Sequence, residues 1–158
     1  MRVWILVAML AGCGNDEPPP VTCKPDGPYI IPPVPDCEVA DCRGVNCDTT
    51  CESGTTCGTL DCRASPQCRL DCQPAATCTF IDCTGADVCF IDCHGAGSTC
   101  EVACEDAGQC DVSCNDGAAC VLDCGATPSA TCRFGRCVGG SGILDCGNGV
   151  IVCNRACP

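Results

Sequence analysis

Apolar and polar residues alternate along short phrases that begin and end in cysteine. In "CRLDC", Cys68, Leu70 and Cys72 alternate with Arg69 and Asp71, and in "CDVSC", Cys110, Val112 and Cys114 alternate with Asp111 and Ser113. A side-chain period of two predicts strands with one buried face. The phrases "CRLDC", "CTFIDC", "CFIDC", "CEVAC", "CDVSC" and "CVLDC" are separated by "QPAAT", "TGADV", "HGAGST", "EDAGQ" and "NDGAA". Gly, Asp, Asn and Pro in these separators predict turns. The longer "CTFIDC" predicts a bulge near Phe80–Ile81. A helix would also set Cys-x-x-x-Cys on one face, but Gly or Pro interrupts nearly every repeat and no 3.6-residue stripe persists.

A unit of ten to eleven residues repeated from Cys37 onward signals a stacked architecture. The predicted class is all-β, a small disulfide-rich repeat domain. Two arrangements meet the pattern. One is a narrow β-solenoid with ten- to eleven-residue coils, and the alternative is an antiparallel β-meander of short hairpins. Repetition favours the solenoid, although its return path is tight: five extended residues reach only roughly 16 Å. Its regularity is similar to that of the disulfide-braced solenoids of insect antifreeze proteins, whose period is longer. Ice binding would need ranks of Thr, whereas the outward positions here read Arg69, Thr79, Phe90, Glu101, Asp111 and Val121.

Strand geometry also limits the cysteine pairing. Residues four apart on a strand are separated by about 13 Å, and bridged Cα atoms by about 4.4–6.8 Å. Cys68 therefore cannot bridge Cys72. The turn-spanning pairs Cys72–Cys78, Cys83–Cys89, Cys104–Cys110 and Cys114–Cys120 are the candidates.

Composition agrees with bracing. Of 158 residues, 25 are Cys, while the chain has one Trp, one Tyr, three Phe and two Met, too few for an ordinary core. The net charge is −12, with the single Lys24 and the Arg residues scattered, so neither nucleic acid nor an anionic membrane surface is an expected partner.

The first thirteen residues, "MRVWILVAMLAGC", place Arg2 before the apolar run Val3–Leu10, the layout of a signal peptide spanning residues 1–12. Leu10-Ala11-Gly12-Cys13 resembles the lipobox of bacterial lipoproteins. The resemblance implies cleavage before Cys13 and lipidation of its sulfur, so that the membrane partner is reached through an N-terminal lipid. Gly14, in place of Asp, implies an outer-membrane or surface destination. Removing Cys13 from the count leaves 24 cysteines, enough for twelve bridges. Residues 13–36 follow as a lipid-anchored, proline-rich tether with eight of the twelve prolines. It is expected to be extended, to reach about 70 Å, and to be pinned to the domain by Cys23. The repeat domain occupies residues 37–158, with an irregular cap from about 138 that carries Val150-Ile151-Val152. From Cys37 to Pro158 the chain resembles small cysteine-rich repeat lipoproteins of GC-rich soil bacteria, which implies architecture and address but no activity.

Candidate chemistry is sparse. No Cys-Cys, Cys-x-Cys or Cys-x-x-Cys occurs, so zinc-ribbon and metallothionein spacings are missing. Metal binding or sequestration by thiolates stays as the alternative function. Asp61, Asp71, Asp82, Asp92, Asp123 and Asp145 each precede a Cys and are expected to point outward. Asp71, Asp82 and Asp92 would line up about 5 Å apart and form the candidate Ca²⁺ ligands. "GGSGILD" nearly matches a calcium-binding nonapeptide, with Asp145 one place late. No other cofactor is expected. His94, the single histidine, abuts Cys93 in a poor geometry for a nucleophile–base pair and reads as an exposed turn residue. No catalytic residue is assigned. The expectation is a non-enzymatic protein of the bacterial cell envelope with a structural or surface-binding role toward an unidentified protein or envelope partner.

Overall fold

The computed structural model describes Thr22–Cys23 and residues 39–158 except Ser129, and its regular elements are all strands. In spatial order, the first sheet holds β1 (Thr22–Cys23), β2 (Val39–Asp41), β4 (Thr56–Asp61), β6 (Thr77–Asp82), β8 (Thr99–Ala103), β10 (Ala119–Asp123), β13 (Val150–Cys153) and β12 (Ile143–Gly147). The second holds β11 (Cys132–Cys137), β9 (Gln109–Asn115), β7 (Val88–His94), β5 (Cys68–Cys72) and β3 (Cys47–Cys51).

From β2 to β11 the chain alternates between the sheets, and each strand pairs in parallel with the one two places on. The result is a β-solenoid of about five turns. Cys68 lies opposite Cys89, and Cys89 opposite Cys110, so a full circuit takes 21 residues. The ten- to eleven-residue unit is therefore half a coil. This resolves the tight return path, because the stretch leading back is itself a strand of the other sheet. Among the described residues, antiparallel pairing is confined to the C-terminal end, where β13 joins β10 and β12, so the meander is not the arrangement of the repeats. The register of β6 against β8 shifts between Cys78 and Ile81, as the longer "CTFIDC" phrase requires.

Alternation sends Cys, one aliphatic residue and Cys inward from most strands. Ile81, Val102 and Leu122 of the first sheet and Ile91 and Val112 of the second are at most 2 % exposed. The flanking cysteines meet across the turns. At one edge of the rod the bridges are Cys42–Cys47, Cys62–Cys68, Cys83–Cys89, Cys104–Cys110 and Cys124–Cys132. At the other they are Cys51–Cys57, Cys72–Cys78, Cys93–Cys100, Cys114–Cys120 and Cys137–Cys153. Among the described residues, no bridge joins the two ends of one strand.

Small residues in the separators have a structural reason. Ala76 and Ala118 lie at the ends of turns closed by N–H donation to the carbonyls of Gln73 and Asn115, and both are fully buried beside the cystines. The residue before each needs a left-handed backbone: Gly117 has φ +85° and Ala75 φ +61°. The C-terminal hairpin seats on the rod through Gly149, φ +84°, where a Cβ would press into the backbone of Gly125. Its Val152 is fully buried, and Cys146–Cys157 ties the tail back onto β12.

Two outcomes follow from this arrangement. Proteolysis and mass spectrometry of the unreduced protein should recover bridges across turns, such as Cys83–Cys89, and no Cys68–Cys72 or Cys110–Cys114 linkage. Ala75→Gly should stabilise the rod by about 0.5–1 kcal/mol, since relief of the left-handed alanine exceeds the added unfolded-chain entropy. A higher urea midpoint with bridges intact checks it, and a lower one contradicts it.

Candidate functional site

The outward side chains stack into columns, because parallel pairing in register puts the same position of each coil next to its equivalent. The residue before the second cysteine of a strand and the residue after it lie on the same face, two positions apart. Their side chains meet, and this pair recurs along both edges of the rod.

On the first sheet the column is Asp41, Asp61 and Asp82, in consecutive register. Arg43 donates from Nε and Nη2 to the two oxygens of Asp41, at 2.9 and 3.0 Å, and reaches Asp61 at 3.5 Å. Arg63 repeats the arrangement one coil on, bonding Asp61 at 2.9 and 2.6 Å and reaching Asp82 at 3.5 Å. Asp41 and Asp61 are buried beneath these guanidinium groups. The hydrogen bonds from Arg63 hold the Asp61 carboxyl below the usual carboxylate range against the opposing effect of burial. The same contacts raise Arg43 and Arg63. The column ends where Ala103 takes the next place.

On the second sheet the equivalent column contains Asp71 and Asp92, which are register partners. Gln73 donates to Asp71 at 2.6 Å and Asn115 to Asp92 at 2.7 Å. His94 Nε2 lies 3.5 Å from Asp71 and 3.3 Å from Asp92. Asp71 Oδ1, the oxygen facing His94, is buried and has no hydrogen-bond partner. Beside it runs a column of Arg69, Phe90, Asp111 and Arg133. Arg69 lies over the Phe90 ring at 6.0 Å, and Arg133 bonds Asp111 at 2.7 Å. Burial pushes the Asp111 carboxyl up, but hydrogen bonds from Gln109 and Arg133 outweigh it and leave the group below its ordinary value.

These positions correct two expectations. Asp71 and Asp92 lie together, but Asp82 belongs to the other sheet, so the three candidate Ca²⁺ ligands do not form one row. The reason is the half-coil unit, which sends alternate repeats to opposite faces. His94 is not an exposed turn residue: it ends β7, half-buried between two carboxylates. The signal that would have found it is the Asp-Cys-x order itself, shared by Asp61-Cys62-Arg63, Asp71-Cys72-Gln73 and Asp92-Cys93-His94. Asp145, from "GGSGILD", accepts the Gly147 N–H at 2.8 Å in the exposed hairpin. Cys13 lies outside the described residues. The candidate disulfide partners lie across their turns with Cα separations of 6.5 Å for Cys72–Cys78, 6.3 Å for Cys83–Cys89, 6.2 Å for Cys104–Cys110 and 6.5 Å for Cys114–Cys120.

Among the described residues, sets of three ligating atoms within 4.8 Å of one another consist of cystine sulfurs. A sulfur already bonded to another is no thiolate, so these sets offer no soft-metal site while the bridges are intact. No protein-family model, curated protein or solved structure matches this chain.

The Asp61 shift has a consequence with a definite sign. A carboxyl whose folded-state value is depressed contributes stability above its unfolded value, near 3.9, and loses it as pH falls through the folded one. Asp61→Asn should lower Tm at neutral pH, and its difference from wild type should shrink as pH drops below about 4. A difference that stays constant with pH would contradict this role of the ionised carboxylate.

Proposed function

We propose that this chain is a non-enzymatic, lipid-anchored protein of the bacterial cell envelope, with a structural or surface-binding role. The observation that best supports this reading is how the outward polar groups are used. Asp41, Asp61, Asp82, Asp92 and Asp111 all have donors from neighbouring side chains or turns. Groups engaged with one another in regular columns hold a surface in shape, whereas catalysis needs groups converging on a reacting atom. The address rests on Leu10-Ala11-Gly12-Cys13 and Gly14, and carries the proposal toward the outer membrane or cell surface. At about 4.8 Å per coil, five coils give a rod of roughly 24 Å, presented beyond a proline-rich tether.

Thiolate metal sequestration is the second reading, and the close sulfur sets are what favour it. It requires those bridges to be reduced in the native protein. Alkylation before reduction separates the two readings: bracing leaves almost no cysteine labelled, and sequestration labels many and releases bound metal.

The anchor is tested by Cys13→Ser, expected to abolish membrane association and release or mislocalise the protein. A variant that still fractionates with membranes as wild type does would overturn the lipid anchor.

A further inference from the structure

Successive cystines lie close along each edge of the rod. On the second edge the sulfurs of Cys51, Cys72 and Cys78 are within 4.8 Å of one another, and so are those of Cys72, Cys93 and Cys100. Cys57, the bonded partner of Cys51, belongs to no such set. It differs in exposure too. Cys51, Cys72, Cys78, Cys93 and Cys100 are at most 2 % exposed, whereas Cys57 is half-buried. Cys57 also lines a small pocket of about 30 Å³ together with Thr50, Gly58, Thr59 and Cys78. That is room for roughly one water-sized or sulfur-sized group, and Gly58 has no side chain to fill it.

We infer that Cys57 is the point at which a small monothiol attacks the rod, and that the thiolate released at Cys51 then passes along this edge by disulfide exchange. In the first step the external thiol gives its proton to solvent, and its thiolate attacks Cys57 Sγ. A mixed disulfide forms on Cys57, the Cys51–Cys57 bond breaks, and Cys51 leaves as a thiolate. Cys51 attacks Cys78, forming Cys51–Cys78 and freeing Cys72. Cys72 attacks Cys100, forming Cys72–Cys100 and freeing Cys93. Each step makes one S–S bond and breaks one, so no oxidant is consumed. Cys137 is half-buried too and the Cys146–Cys157 bridge is more exposed, but neither the Cys137–Cys153 nor the Cys146–Cys157 bridge contributes a sulfur to a close set, so opening either stays local.

The full-length Cys57→Ser variant places the unpaired thiol at Cys51 without any added reductant. After incubation at about pH 8, where thiolates form, acid quenching, alkylation in denaturant and peptide mapping locate it. The expected result is label on Cys72 and Cys93 as well as Cys51, with a Cys51–Cys78 peptide. Label confined to Cys51 overturns the relay. Cys51→Ser leaves its thiol on Cys57, and label is expected to remain there. Equal migration from Cys57 would mean unguided scrambling and also overturns the relay. Wild-type protein treated with glutathione tests the point of attack without a variant. The adduct should form on Cys57 before the Cys72–Cys78 and Cys93–Cys100 bridges open, and equally fast opening of those bridges overturns the assignment.

Discussion

The cystine that crosses from one sheet to the other at each edge sets the dimensions of everything else. Facing sheets ordinarily pack about 10 Å apart. Here Cα atoms at the two edges are held 5.7 to 6.7 Å apart, coil after coil. Between two such clamps there is space for one aliphatic side chain from each strand, and residues such as Ile81, Ile91 and Val112 take it. Beyond the clamps the turns must close over the sulfur, which admits Ala76, Ala86 or Ala118 and nothing much larger. The scarcity of aromatic residues is then a requirement of the cross-section, and the low content of Leu and Phe is no deficit of stability.

How much of this was legible in the sequence divides by range. The strand assignment and the turn-spanning cysteine pairs follow from local alternation, because a period of two fixes which residues share a face within five positions. What local pattern leaves open is which strand pairs with which. Strands β5, β6 and β7 look alike as phrases, yet β5 pairs with β7 and β6 stands on the opposite sheet. Two features did encode the longer period. The phrases from Cys57 to Cys93 alternate between six and five residues, and the buried small residue comes three places after Cys62 and Cys83 but four places after Cys72 and Cys114. That second alternation reflects two different turns at the two edges. It separates Asp82 from Asp71 and Asp92.

Stacking turns each outward position into a column of like groups, and an acidic chain must answer the repulsion this creates. The two edges do so differently. On the first sheet Arg43 and Arg63 each join their own aspartate to the next one along, so charge alternates down the column. On the second, neutral Gln73 and Asn115 and the imidazole of His94 separate Asp71 from Asp92. Arg43, Arg63, Gln73 and His94 each stand two positions beyond their own acid, across a buried cysteine, whereas Asn115 reaches Asp92 from the neighbouring strand. The same cystine that clamps the sheets therefore fixes the register that pairs each acid with its donor.

Local clamps also shape how cooperativity is distributed. The bridges along the two edges mostly close loops of five to eight residues, so each can form once a single turn is made, whereas parallel pairing must wait for a partner strand some 21 residues away. A coil with both clamps closed presents a finished edge to the next, the condition for growth by nearest-neighbour addition. The exception is the C-terminal end. There Cys137 reaches Cys153 over 16 residues, and β13 runs antiparallel to β10, so the last clamp closes only after the hairpin has docked. Its strand direction differs from that of the coils, so it offers β10 no further parallel neighbour. The reversal stops the repeat, and the Cys137–Cys153 bridge with the pairing of β13 on β10 anchors it there.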